Sequence, residues 1–137
     1  MESDMSLNAP LTLYGETFTS RLLLGTSRYP SPSVLLAAIE SAQPAMLTAS
    51  LRRQTGGVGE ASQSFWNLLR ESKVQVLPNT AGCHSMQEAI TTAEMAREVF
   101  NTDWIKLELI GDDYTLQPDT LNLPEAASHL IKAGFKV

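Results

Sequence analysis

Apolar positions along the chain switch repeatedly between strand spacing and helix spacing. Leu11-Thr12-Leu13-Tyr14-Gly15-Glu16-Thr17-Phe18 predicts a small hairpin turning at Gly15-Glu16, after a disordered lead-in over residues 1–10. Arg21 to Gly25 is a short apolar strand. A helix follows, with Ser31 as cap, Pro32 at its first position, and Val34, Leu35, Ala38 and Ile39 as its apolar stripe. Ala45 to Leu51 is the next strand, Thr55 to Ser62 a Gly-rich loop, and Phe65, Leu68 and Leu69 mark a second helix ending near Ser72. Val74 to Leu77 is a third strand, closed by the turn Pro78-Asn79-Thr80-Ala81-Gly82. Ser85 and Glu88 have capping-box spacing before a third helix, which carries Ala89, Ile90, Ala93, Ala96, Val99 and Phe100 and stops at Asn101. Trp104 to Ile110 is a fourth strand and Leu123 to Ala133 a fourth helix with Gly134 past its end; Phe135-Lys136-Val137 opens something extended.

Strands alternating with helices across short loops imply a parallel α/β sheet with right-handed crossovers. The strands are not apolar on both faces, as a sheet covered by helices on both sides requires. In Trp104-Ile105-Lys106-Leu107-Glu108-Leu109-Ile110, alternation puts Ile105, Leu107 and Leu109 on one face and Trp104, Lys106, Glu108 and Ile110 on the other. The second strand likewise separates Leu47, Ala49 and Leu51 from Met46, Thr48, Ser50 and Arg52. One apolar face and one mixed face, polar toward the strand ends, suits a (β/α)8 TIM barrel. Such a barrel needs about 250 residues, so residues 11–137 are expected to supply its N-terminal half, from the first strand to the start of the fifth. A self-contained flavodoxin-like sheet is the structural alternative.

Composition narrows the setting. The 137 residues are 43% hydrophobic and 18% charged, an ordinary globular mix with enough chain for a real core. A net charge of −5 argues against nucleic acid or an anionic membrane as main partner. No apolar run approaches the roughly 18 residues of a membrane span, the first residues lack signal-peptide character, and the lone Cys83 fits a reducing compartment, so a cytoplasmic protein is expected.

The chemistry that the pattern suggests centres on Lys106. A lysine in a low-dielectric pocket loses its proton more readily, and the neutral amine attacks a ketone to form a Schiff base. Glu108, on the same face and roughly 6–7 Å along the strand, suits a proton shuttle. The plain alternative is a buried ion pair. Asn79 and Thr80 either hydrogen-bond a substrate or form a structural turn, and Arg52 and Arg53 either hold an anionic substrate, pair with Glu108, or are a solvated or structural pair. Gly25-Thr26-Ser27 either passes close to a ligand or is simply the turn before the Ser31 cap, the turn being favoured, and Asp112-Asp113 is read as an exposed turn. Gly56-Gly57-Val58-Gly59 matches neither phosphate-loop nor dinucleotide spacing. Cys83-His84 sits beside a helix start, which could lower a thiol pKa and make a nucleophile, the disfavoured reading; it lacks metal-ligand spacing, and no metal is expected.

Arg21-Leu22-Leu23-Leu24-Gly25-Thr26, Leu51-Arg52-Arg53, Leu77-Pro78-Asn79-Thr80-Ala81-Gly82-Cys83, Trp104-Ile105-Lys106-Leu107-Glu108 and Ile110-Gly111-Asp112-Asp113 together resemble bacterial thiazole synthase of thiamine biosynthesis, in family order, over that family's N-terminal half. The resemblance implies a (β/α)8 barrel, usually oligomeric. It implies condensation of 1-deoxy-D-xylulose 5-phosphate with dehydroglycine (2-iminoacetate) and sulfur, without metal or cofactor. The implied sulfur donor is the thiocarboxylated C-terminus of a small ubiquitin-like carrier protein, and a separate enzyme supplies dehydroglycine. By the same resemblance Lys106 forms an imine with the sugar ketone and Glu108 assists the proton transfers. A class I aldolase-type lysine enzyme and an inactive truncated fragment are the alternatives.

Overall fold

The computed structural model describes residues 9–51 and 60–137. The expected lead-in therefore lies mostly outside the described residues, as do Arg52, Arg53 and most of the Gly-rich loop. Strands β1 (Leu11–Leu13) and β2 (Glu16–Phe18) form an antiparallel hairpin with Leu13 opposite Glu16. Its turn is Tyr14-Gly15, one residue before the expected Gly15-Glu16. Both turn residues have positive φ, 50° and 77°, as a two-residue I′ turn requires.

Strands β3 (Leu23–Gly25), β4 (Met46–Ser50) and β5 (Gln75–Asn79) pair in parallel in the order β3-β4-β5. Parallel bridges add two more segments, Lys106 to Asn79 and Lys136 to Trp104. Spatial order therefore follows chain order across five segments. A doubly wound sheet reverses direction at a switch point, and these segments do not, which removes the flavodoxin-like alternative.

Helices α1 (Pro32–Ala42), α2 (Glu60–Glu71), α3 (Met86–Phe100) and α4 (Asn122–Lys132) begin and end where local chemistry dictates. The Ser31 hydroxyl accepts the Val34 N–H, and Pro32 takes the first turn, where its missing donor costs nothing. Ser85 caps α3 through the Glu88 N–H, and the Glu88 carboxylate reaches back to accept the N–H of His84. Asn101 ends α3 in the left-handed conformation. Gly134, at φ 89°, follows α4. Helix α2 starts at Glu60, inside the segment expected to be loop.

One sheet face packs on the helices. Leu47, Ala49, Val76 and Ile105 are buried there with Leu35, Ile39, Leu69, Ile90, Ala93, Ala96, Phe100 and Leu130. The opposite face is graded. At its base Met46 and Trp104 bury against Leu13, Phe18 and Leu77, and the rings of Tyr14 and Phe18 meet Trp104 edge-on at 5.6 and 6.0 Å. The hairpin thus covers the N-terminal ends of the strands. The Tyr14 hydroxyl secures it by donating to the Val137 carbonyl (2.8 Å) and accepting from the Val137 N–H (3.1 Å). Toward the C-terminal ends the same face turns polar.

The fourth strand expected over 104–110 is present only as separate bridges, at Trp104, Lys106 and Ile110. Its neighbour on the β5 side contains Pro78, whose carbonyl accepts the Lys106 N–H at 2.7 Å. Proline has no N–H to return, so a continuous ladder cannot form there. Beyond Ile110 the chain folds back, and Ile110 pairs with Pro118. A Cβ on Gly111 would stand 3.0 Å from the Pro118 carbonyl oxygen and 3.1 Å from the Asp119 main chain. Because these are backbone atoms, Gly111→Ala should destabilise the protein by about 1–3 kcal/mol. Thermal unfolding measures this, and an unchanged melting temperature would show that the loop yields freely.

Candidate active site

The C-terminal ends of the parallel segments enclose a cavity of about 220 Å³. Gly25, Thr26 and Ser27 line it from the end of β3, Thr48 and Ser50 from β4, Asn79 from β5, Ala81 from the turn after it, and Lys106 and Glu108 from the segment beyond. A larger depression of about 530 Å³ between α1 and α2 carries Glu40 and Glu71 but no amine.

Strand alternation brings Lys106 and Glu108 to this cavity while Ile105 goes into the helix-side core. Lys106 Nζ donates to Glu108 Oε1 at 2.8 Å. The lysine side chain is 54% exposed and the glutamate 35%. The amine is therefore not desolvated among the described residues, contrary to the expected dry pocket. It stands in an open cup as one half of a hydrogen-bonded ion pair. A pair this exposed contributes only about 0–1 kcal/mol to stability, so folding gives little reason for it.

The other candidates divide. Asn79 lines the cavity, and its Oδ1 also accepts the Ala81 N–H at 3.1 Å, so turn and cavity wall are one residue. Thr80 is fully buried and does not line the cavity. Its hydroxyl is committed to the main chain of Glu108, donating to the carbonyl and accepting from the N–H, both at 2.7 Å. Of the two readings open for Thr80, this arrangement matches the structural one: backbone pairing turns the side chain inward. Arg52 lies outside the described residues. Gly25-Thr26-Ser27, for which the turn was the favoured reading, forms a wall of the cup, and the Thr26 hydroxyl donates to the Thr48 carbonyl at 2.8 Å. The signal for this wall was its place at the C-terminal end of a barrel-type strand. Cys83 is fully buried with Sγ 3.4 Å from the Thr92 hydroxyl, a packing position rather than a nucleophile's.

Comparison with known proteins decides the family. The family model described as thiazole biosynthesis protein ThiG matches residues 12–137. The chain belongs to the ThiG family. It is 69% identical over 134 residues to a thiazole synthase of Paracidovorax citrulli, covering 98% of this chain and 50% of that protein. Identity to a Cupriavidus necator thiazole synthase is 65% over 137 residues, 99% of this chain and 49% of that one. A Neisseria meningitidis serogroup C thiazole synthase is 68% identical over 127 residues, 93% and 48% respectively. The chain thus spans about half the length of the curated relatives it matches. In structure it is similar to the crystal structure of the Amycolatopsis orientalis BexX/CysO complex, with a TM-score of 0.69 over 91% of this chain and 50% of that one, at 20% identity. That likeness speaks for the fold alone.

Two rim loops of this ThiG-family chain are tied together beside the cup. His84 Nε2 lies 2.5 Å from Asp113 Oδ1, joining the loop after β5 to the loop after Ile110. Asp112 braces the second loop: its carboxylate accepts the Thr115 N–H, the Thr115 hydroxyl and the Tyr114 N–H. Led by the Thr115 N–H, these bonds favour the ionised form and hold its pKa below the ordinary 3.8. A carboxylate depressed on folding gives its full contribution above the unfolded-state pKa and loses it as pH falls through the folded value. The backbone amide resonances of Tyr114 and Thr115 should therefore move with a midpoint below 3.8 during an acid titration followed by NMR. A midpoint above that value would contradict the bracing.

Proposed function

We propose that this chain is the N-terminal half of a (β/α)8 barrel that acts as a thiazole synthase in the cytoplasm. It would condense 1-deoxy-D-xylulose 5-phosphate, dehydroglycine and carrier-bound sulfur into the thiazole phosphate of thiamine. The observation that carries this reading is the Lys106–Glu108 pair, 2.8 Å apart, in a hydroxyl-lined cup at the strand ends of a ThiG-family chain.

The chemistry follows from the pair. The Lys106 ammonium, in its open cup, gives its proton to solvent, and the freed amine adds to the ketone carbon of the sugar phosphate. The carbonyl oxygen, protonated in turn, leaves as water and a C=N bond remains. Glu108 then moves a proton from the carbon beside the imine, which isomerises it and prepares that carbon for sulfur. The Thr48 and Ser50 hydroxyls and Asn79 suit the hydroxyl groups of a sugar, and Arg52 suits its anionic end. Support for a sulfur-carrier partner comes from the BexX structure, which is a complex with CysO. A homo-oligomer, and a separate enzyme that supplies dehydroglycine, complete the proposed assembly.

At the relatives' full length, incubation with the sugar phosphate and borohydride should add one reduced adduct at Lys106, seen by intact mass and peptide mapping. Lys106→Arg should abolish it. Glu108→Gln should lower thiazole formation by about 10²- to 10⁴-fold. An adduct elsewhere, or none, would remove Lys106 as nucleophile. Product analysis with a thiocarboxylated carrier separates this reaction from an aldolase cleavage.

A further inference from the structure

The segment that bears the pair is held to β5 by a chain of bonds centred on one residue. Pro78 accepts the Lys106 N–H at 2.7 Å, the Thr80 N–H donates to the Lys106 carbonyl at 3.2 Å, and Cys83 accepts the Ile110 N–H at 2.8 Å. Between these, at Glu108, no main-chain bond to β5 is found among the described residues, and the chain after β5 turns through Ala81 and Gly82 (φ 83°). The Thr80 hydroxyl fills that place and engages both the N–H and the carbonyl of Glu108 at 2.7 Å. Thr80 therefore touches both members of the pair, Lys106 through its backbone and Glu108 through its side chain. It is fully buried, so water cannot substitute for its hydroxyl.

We infer that Thr80 is a positioning residue for Glu108, setting where its carboxylate meets the Lys106 amine. A single hydroxyl can donate once and accept, which is what the Glu108 peptide groups need. Holding the main chain at Glu108 restricts the carboxylate to the rotamers that reach Lys106 Nζ, and proton transfer is sensitive to displacements of this order. The Lys106 side of the clamp uses only a backbone N–H, which any residue except proline supplies. Loss of the hydroxyl should thus impair proton transfer while sparing imine formation. This rests on the proposed imine chemistry.

The test compares Thr80→Val, Thr80→Ala and Thr80→Ser at the relatives' full length. Two readouts apply: borohydride trapping at Lys106, and solvent deuterium entry at the sugar carbon beside the imine. Val and Ala should trap like wild type but lose exchange and kcat by about 10²-fold with KM nearly unchanged. Ser, which keeps the hydroxyl, should stay within a few-fold of wild type. If Val does not fold, the Ala–Ser contrast decides. Equal exchange rates in the Ala and Ser proteins would overturn the inference, as would loss of trapping in step with exchange. Failure of wild type itself to trap would instead strike the imine reading on which both stand.

Discussion

The registration of the Lys106–Glu108 segment against Pro78–Thr80 governs the arrangement of the cup. A regular parallel ladder would hold the segment through repeated N–H and carbonyl pairs, but Pro78 interrupts it by lacking a donor. What remains is a bond from the Lys106 N–H to Pro78, one from the Thr80 N–H to the Lys106 carbonyl, and the Thr80 hydroxyl on Glu108. These bonds choose which side chains face the cavity. A slip of one residue would send Lys106 and Glu108 under the helices and bring Ile105 and Leu107 to the cup.

The face opposite the helices is divided along the strand direction, and each part depends on the other. At the base, Trp104 packs against Met46, Leu77 and the hairpin residues Leu13 and Phe18. Two residues further on, Lys106 reaches the polar cup. Apolar burial at the base holds the segment, and the polar end, with its amine and carboxylate, is left open to solvent. The rim is braced separately, by the His84–Asp113 contact and by the Asp112 turn.

Much of this was legible beforehand because it is local. The Ser31 and Ser85 caps, the Asn101 stop and the alternation around Lys106 depend on neighbours a few residues apart, and the structure has each of them. The hairpin turn was displaced by one residue because Tyr14, not an obvious left-handed residue, adopts positive φ beside Gly15. The start of α2 was missed because Glu60-Ala61-Ser62 carries no apolar stripe of its own. The two readings of Thr80 stayed open for a different reason: whether a hydroxyl at a strand end meets solvent or a neighbouring main chain depends on a partner 28 residues away.

By itself, then, the sequence determined the order of elements, the two faces of each strand, and the presence of an amine and a carboxylate on one of them, since these follow from periodicity and from side chains that act within a turn or two. Tertiary structure alone decided that five segments lie side by side in chain order and that the turn after β3 becomes a wall of the cup. It also decided that the lysine sits exposed and ion-paired, and that a buried threonine holds the glutamate. Those features depend on distances between residues far apart in the chain, and only the packed backbone sets such distances.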